Sequence, residues 1–236
     1  MEDRFEHRAE KIADQERKIQ AGIDAKASEG GGSKDRGAVQ AGARRYPEPP
    51  FPEQHQRKPG EEAALEAFGR LDVVVPNAAF QEHVTALEDL TLEHFDRTLK
   101  TNLYGYFNLV KAAVPHMKSG GSIVMTGSVT GIMGNDNLLD YSMTKGGIHA
   151  FARSLGTHLA PKGIRVNVVA PGPVWTPLNP ADQQAEKVAK FGSQTVMKRP
   201  AQPEEIAPAF VFLASPQCSS YITGEILPII GGYGGG

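Results

Sequence analysis

Short apolar runs separated by longer amphipathic stretches predict an α/β protein after residue 60. The runs cover 71–75, 123–126, 164–170 and 221–230. The run at 71–75 is typical of a strand buried on both faces of a sheet. Pro228 interrupts the last run, which suits an edge or terminal strand because proline cannot donate a ladder hydrogen bond.

Between these runs, apolar residues recur every three or four positions, which predicts helices. Thr91 is a plausible N-cap for the longest helix, and Pro115 should kink its last turn. The apolar stripe of this helix consists of Leu92, Phe95, Leu99, Leu103, Tyr106, Val110, Ala113 and Met117. Other helices are predicted at 61–69, 141–162 and 203–213.

Residues 1–60 are far more polar than the rest of the chain. They carry 12 basic and 11 acidic side chains, against 29 charged residues in the remaining 176. A segment of this composition cannot bury enough apolar surface to offset its ordering entropy. We therefore expect a largely disordered extension, with a helical stretch at 1–27 that is either solvated or bound to a partner. An α/β domain should follow at 61–236.

The stretch 122–145 combines side chains that can transfer protons. Ser128 follows the strand at 123–126, and Tyr141 and Lys145 lie four residues apart, on one face of the next helix. In an open α/β sheet, ligands bind at the carboxyl ends of the strands. A hydroxyl, a phenol and an ammonium are therefore expected to converge there. The alternative is an ordinary amphipathic helix with an exposed tyrosine and lysine.

Electrostatics favour a proton-transfer role for Tyr141. A free phenol titrates near ~10, and lowering its pKa to ~7 requires about 4 kcal/mol of preference for the phenolate. An ammonium ~4 Å away supplies on the order of 4 kcal/mol at an effective dielectric constant of about 20. Lys145 is thus expected to lower the pKa of Tyr141, while Ser128 orients a substrate oxygen by hydrogen bonding.

This pattern resembles the short-chain dehydrogenase/reductase family, in particular its glucose and general-stress dehydrogenases with a polar N-terminal extension. The match runs over about 68–232. The resemblance implies that Ser128, Tyr141 and Lys145 form an active site. It also implies that Asn102, in T-N-L-Y-G, anchors a proton relay by holding a water between Lys145 and solvent. The alternative for Asn102 is an amide at the edge of the core that bonds the backbone.

The resemblance further implies a nicotinamide cofactor, NAD or NADP, and an alcohol or carbonyl substrate such as a sugar or polyol. Two loops would contact the cofactor, P-N-A-A at 76–79 and P-G-P-V-W-T-P at 171–177, and a mobile substrate lid would follow at 178–199. The implied cofactor-binding residues are Asn77, Ala78, Tyr141, Lys145, Pro171, Gly172, Val174 and Thr176. The histidines show no H-x-x-x-H spacing, so no metal site is predicted.

One part of the family pattern is not found in the sequence. No strand followed by T-G-x-x-x-G-x-G, whose glycines admit a pyrophosphate to a helix N-terminus, precedes residue 71. We therefore expect a partial Rossmann-like, doubly wound parallel sheet made of the family's strands four to seven. The strand at 71–75 would then be an exposed apolar edge, and affinity for the cofactor would fall.

Three interpretations of function follow. The chain is an NAD(P)-dependent oxidoreductase, or it is a catalytically inactive half-fold that acts as an interaction or oligomerisation module, or an internal segment is missing from it. In either of the first two, the resemblance implies a homo-oligomer. Its contacts would be the helices at 92–117 and 141–160, which form the family's main dimer interface.

Composition narrows the partners and the compartment. A net charge of −2 gives no electrostatic case for binding nucleic acid or an anionic membrane. No apolar run approaches the ~20 residues of a membrane span. The lone Cys218 fits a reducing compartment, and the N-terminus has no apolar signal core, so a cytoplasmic location is expected.

Overall fold

The structure is a computed structural model that describes residues 60–179 and 185–232, all within one unit, His55–Gly236. Apart from Gly60, the predicted extension at 1–60 lies outside the described residues, and its boundary with the α/β domain stays a prediction. Part of the predicted lid at 178–199 is also outside them.

The elements alternate between strands and helices, as the apolar pattern predicts. The strands are β1 Leu71–Val74, β2 Met117–Thr126, β3 Arg165–Pro171 and β4 Ile226–Ile229. The α-helices are α1 Gly60–Phe68, α2 Leu92–Leu99, α3 Gly105–Ala113, α4 Thr130–Met133, α5 Leu139–Leu159, α6 Ala185–Ala189, α7 Pro203–Ala214 and α8 Pro216–Ser219. Short 3₁₀ turns lie at Leu87–Asp89, Val114–His116 and Ala160–Lys162, and a π-helical turn lies at Lys100–Tyr104.

The four strands form one parallel sheet in the order β1–β2–β3–β4. Ser122 to Thr126 pair in register with Arg165 to Val169, and Val168 pairs with Ile226. Parallel neighbours require crossover connections, and the helices between successive strands supply them. This arrangement confirms the predicted α/β class with a Rossmann-like parallel sheet.

Helices cover both faces of the sheet, so that it is doubly wound. On one face α3 and α5 bury their apolar stripes against alternate residues of β2 and β3. The buried residues of this core include Tyr106, Val110, Ile123, Met125, Ile148, Ala152, Val166 and Val168. On the other face, Ile206 and Leu213 of α7 pack with Val124 and Val169. The alternation follows the pleat, in which successive side chains point to opposite faces.

Strand β1 is covered on only one face. Val74 is buried in the first core, whereas Val73 and Val75 are 41% and 42% exposed. The prediction that the run at 71–75 is buried on both faces is therefore wrong, because α7 packs over β2 and β3. The prediction of an apolar edge strand is confirmed for residues 60–179 and 185–232, among which β1 pairs with β2 alone.

The predicted long helix is interrupted in its middle. Thr91 caps α2 as predicted, since its hydroxyl accepts a hydrogen bond from the backbone N of His94 at 3.1 Å. Lys100–Tyr104 then form a π-helical turn, which the apolar stripe does not reveal. The last turn is 3₁₀ around Pro115, where the α-helical geometry ends as expected.

Two other predicted boundaries shift by a few residues. Helix α5 begins two residues before Tyr141, and it stops before Gly163, whose φ of 70° is left-handed. Strand β4 is shorter than the predicted 221–230 because the Asn167 side chain holds the turn before it. Its Nδ2 donates to the carbonyl of Ile222 at 2.9 Å, and its Oδ1 accepts from the N of Glu225 at 3.0 Å.

No helix of the described part of the chain is long and apolar enough to cross a membrane. The cytoplasmic location stays a prediction.

Candidate active site

The candidate site lies at the carboxyl ends of the parallel strands, where the sequence places it. A cavity of about 1390 Å³ opens there. Every predicted catalytic and cofactor-binding residue except Asn102 lines it. These residues are Asn77, Ala78, Ser128, Tyr141, Lys145, Pro171, Gly172, Val174 and Thr176. The structure therefore brings together side chains that are up to 99 positions apart in the sequence.

Ser128 is fixed in the turn between β2 and α4. Its Oγ accepts two hydrogen bonds from Thr130, one from the backbone N at 3.1 Å and one from the hydroxyl at 3.0 Å. A hydroxyl has two lone pairs and one proton, so Ser128 is left to act as a donor. Ser128 and Tyr141 line the same cavity.

Tyr141 and Lys145 lie one turn apart on α5, with only 8% and 1% of their surface exposed. The Nζ of Lys145 donates to the carbonyl of Thr126, at the end of β2, at 2.7 Å. The hydroxyl of Tyr106 donates to the same carbonyl at 3.0 Å. Nζ also lies 5.4 Å from the ring centre of Tyr141 and 5.5 Å from that of Tyr106. The end of β2 thus fixes the lysine between two aromatic rings.

Burial dominates the proton equilibria of this pair. It raises the pKa of Tyr141 to about 12, although the hydrogen bond from Ser128 acts in the opposite direction. It lowers the pKa of Lys145 to about 7. The expected lowering of the tyrosine pKa is therefore not what the structure shows, because desolvation of the phenolate outweighs the hydrogen bond from Ser128. At neutral pH Tyr141 is a phenol that can donate a proton.

Asn102 lies in the π-helical turn and is fully buried. Its Nδ2 donates to the carbonyl of Phe80 at 2.9 Å and to the hydroxyl of Thr144 at 3.0 Å, and its Oδ1 accepts from the N of Phe80 at 2.8 Å. These contacts match the alternative in which the amide bonds the backbone. They attach the loop after β1, which carries Asn77 and Ala78, to the π-helical turn and, through Thr144, to α5.

The two predicted cofactor loops are each held by hydrogen bonds. In the first, Asn77 Oδ1 accepts from the hydroxyl of Thr126 at 2.8 Å, and the carbonyl of Pro76 accepts from the N of the same residue at 3.0 Å. In the second, Asn179 Nδ2 donates to the carbonyl of Val174 at 2.6 Å and to the hydroxyl of Thr176 at 3.2 Å. Pro76, which has no N–H to donate, thus still bonds β2 through its carbonyl.

Sequence reasoning missed two residues beside Ser128. One is Thr130, described above. The other is His149, whose Nε2 accepts a hydrogen bond from the N of Ser128 at 3.4 Å. Burial, followed by the charges of Lys145 and Arg153, lowers its pKa to about 4. The spacing of Tyr141, Lys145 and His149, four residues each, puts all three on one helical face and was the available signal.

A further buried polar cluster lies next to Tyr141 in the sequence. The Oδ2 of Asp140 is 3.2 Å from Nε2 of His94 and accepts a hydrogen bond from the hydroxyl of Thr98. Asp140 thereby ties the first turn of α5 to α2. Among residues 60–179 and 185–232, no group of three or more His, Cys, Asp or Glu side chains is placed to hold a metal ion.

Comparison with known proteins identifies the family. A family model described as enoyl-(acyl carrier protein) reductase matches residues 54–234. Glucose and ribitol dehydrogenase homolog 2 of Arabidopsis thaliana is 53% identical over 171 residues, which cover 72% of this chain and 59% of that protein. NADPH-dependent aldehyde reductase 1, chloroplastic, of the same plant is 51% identical over 168 residues, covering 71% and 58%.

A solved structure supports the same family assignment. The crystal structure of 3-ketoacyl-(acyl-carrier-protein) reductase from Brucella melitensis complexed with NADH is 32% identical, with a TM-score of 0.66 over 72% of this chain and 70% of that one. The chain therefore belongs to the short-chain dehydrogenase/reductase family, as its motifs predict. It spans about three-fifths of the length of the curated relatives it matches.

Proposed function

We propose that the chain is an oxidoreductase that transfers a hydride between a nicotinamide cofactor and an alcohol or carbonyl substrate. The observation that carries the proposal is the convergence of Ser128, Tyr141 and Lys145 on one cavity at the carboxyl edge of the sheet. The names of the relatives point to small carbonyl compounds, sugars or polyols as the substrate class.

The residues around the cavity fit a nicotinamide cofactor by their donor set. Lys145 has three N–H donors, and only one is required by the carbonyl of Thr126, so two can bond ribose hydroxyls. Asn77 and Thr176, on opposite loops, add polar groups at the two sides of the cavity. Its volume exceeds the upper end of the common range for ligand pockets, about 1,000 Å³, which leaves room for a substrate beside the cofactor.

In the reducing direction Tyr141 is the general acid. The hydroxyl of Ser128 donates a hydrogen bond to the carbonyl oxygen of the substrate. Because Thr130 occupies both lone pairs of this hydroxyl, donation is the role left to it. Tyr141 gives its phenol proton to the same oxygen, while the carbonyl carbon receives the hydride that the bound cofactor supplies. Lys145, beside the ring, stabilises the phenolate as it forms.

The relay role of Asn102 is part of the proposal. Both N–H donors of its side chain are engaged by Phe80 and Thr144, so the side chain acts as a fixed anchor. The π-helical turn around it disrupts the regular backbone hydrogen bonds. Such a turn can offer a carbonyl to a water that returns protons to Lys145.

A second candidate function is an interaction or oligomerisation module without catalysis. It is favoured by the sequence of residues 1–70, which contains no T-G-x-x-x-G-x-G motif to anchor a pyrophosphate. Apolar side chains are also exposed on the helices that we propose as the homo-oligomer contact, with Leu92 at 87%, Phe107 at 48% and Met143 at 48%. Such an interface is compatible with either function.

Titration of the purified full chain with NADH and NADPH, followed by calorimetry or cofactor fluorescence, separates the two candidates. The oxidoreductase should bind one of them at micromolar concentration, and binding should weaken in Lys145→Met. Lys118→Met, which changes an exposed lysine outside the cavity, is the matched control and should bind as the wild type does. No binding at millimolar cofactor would contradict the oxidoreductase and leave the interaction module.

A further inference from the structure

Ser128 can serve the proposed reaction only while its hydroxyl donates. We propose that Thr130 and His149 are positioning residues that hold Ser128 as a hydrogen-bond donor toward the substrate oxygen. The kinetic consequence rests on the proposed function. The hydrogen bonds themselves can be measured without any turnover.

Thr130 determines the direction of the serine hydroxyl. It donates from two different atoms, the backbone N and Oγ1, into the single Oγ of Ser128. With both lone pairs occupied, the serine proton must point away from Thr130. If the Thr130 hydroxyl is removed, one lone pair of Ser128 becomes free, and the serine can accept a hydrogen bond where it should donate one.

His149 supports the serine backbone, together with the hydrogen bonds from the N of Gly127 and the N of Val129 to β3. Its imidazole is 4% exposed, accepts from the N of Ser128 through Nε2, and lies against the backbone of Gly131. Since Nε2 is an acceptor, the ring is neutral and carries its proton on Nδ1. Lys145 and Arg153 are the charges that face it, and both oppose protonation. The ring thus joins both ends of the turn that carries Ser128.

Gly127 and Gly131, in the motif T-G-S-V-T-G, lie directly against this imidazole. A Cβ added at Gly127 would overlap Nε2 of His149, and one added at Gly131 would lie 2.8 Å from its Cε1. Carbon contacts this short are repulsive, so any larger residue would displace the ring or the turn. Gly127 therefore leaves space for a histidine two turns beyond Tyr141, whereas Gly131 admits both this ring and the backbone of Lys145 and Gly146.

Nitrogen-15 NMR of the full chain tests the hydrogen bonds directly. One histidine, identified by its loss in His149→Gln, should show an unprotonated Nε2 and a protonated Nδ1 that stay unchanged between about pH 8 and pH 5. A His149 that titrates near ~6.5, as a free imidazole does, would overturn its role. The role of Thr130 is tested in Ser128→Ala, where the resonance of the Thr130 amide proton should shift upfield. An unchanged resonance would overturn this role.

Matched pairs of variants test the consequence for catalysis. Thr130→Val and His149→Leu should each lower kcat by about tenfold, with KM for the cofactor unchanged. Thr130→Ser and His149→Gln keep the hydroxyl and an acceptor, and should stay within about threefold of the wild type. Equal losses in both members of a pair would assign the residue a packing role only. If the wild type has no turnover, the oxidoreductase proposal fails, whereas the NMR result still decides the positioning.

Discussion

Strands β1 and β2 are parallel neighbours, but their surroundings differ. Residues 123–125 of β2 are fully buried between helices on both faces, and the strand leads directly to Ser128. In β1 only Val74 is buried, while Val73 faces solvent. The groups that fix Ser128, Tyr141 and Lys145 come from β2, its following turn, α5 and Tyr106 of α3. The proposed acid–base residues and the proposed cofactor contacts thus lie on regions of unequal packing.

The loop after β1 is held in a different way from the turn after β2. It carries the predicted cofactor contacts Asn77 and Ala78, and it is held by the Asn102 side chain through Phe80 and by Thr126. These are polar contacts to neighbouring elements, whereas the strand before the loop contributes little buried surface. We therefore expect changes on β2 and α5 to affect chemistry and stability strongly, and changes on β1 to affect them weakly.

The largest expected effect is on turnover in Tyr141→Phe. Loss of the general acid should lower kcat by about a thousandfold, because positioned proton transfer contributes about 10²–10⁴. The measurement is reduction of an aldehyde or sugar at saturating NADH or NADPH. The melting temperature serves as the control and should be preserved. Turnover within about tenfold of the wild type would show that another group supplies the proton.

The next effect is a pH dependence of stability that belongs to Lys145. Its pKa is lowered from 10.5 to about 7 in the folded protein, so between these values the unfolded chain binds more protons. The free energy of unfolding should therefore rise with pH in this window, by up to about 1.4 kcal/mol per pH unit.

Lys145→Met removes this contribution and gives the measurement. Urea unfolding at several pH values from 7 to 10 should show the variant most stabilised relative to the wild type at the lower end. The difference should shrink as the pH rises. A difference that is constant with pH would mean that Lys145 titrates alike in the folded and unfolded states.

A smaller effect compares the two strands directly. Val124→Ala on β2 should lower the free energy of unfolding by about 2 kcal/mol, from lost burial and the cavity left behind. Val73→Ala on β1 makes the same chemical change at a half-exposed position and should cost about 0.5 kcal/mol. Urea unfolding at one pH measures both. Equal losses would show that β1 is as well covered as β2.

Features with a local signal could be predicted from the sequence. The N-cap at Thr91 requires only a hydroxyl before an apolar stripe, and the face shared by Tyr141 and Lys145 requires only their spacing. The α/β class follows from short apolar runs joined by helices. The location of Ser128 at the end of a strand follows from the small residues that come directly after an apolar run.

Features that depend on tertiary packing could not be predicted in this way. The exposure of Val73 depends on how far α7 extends across the sheet. The sequence of β1 contains no signal for the position of α7. The π-helical turn escapes detection because an apolar stripe advances by three or four residues on either kind of helix. Burial among residues distant in sequence raises the pKa of Tyr141, and the spacing of Tyr141 and Lys145 does not reveal this burial.

We propose that β2, α3 and α5 assemble a buried proton-transfer site in this chain. Carbon-13 NMR of ε-labelled lysines tests it most directly, because only a buried lysine departs far from the ordinary range. One resonance, lost in Lys145→Met, should titrate at about 7. If every lysine of the folded chain titrates near ~10.4, the site is not assembled as described.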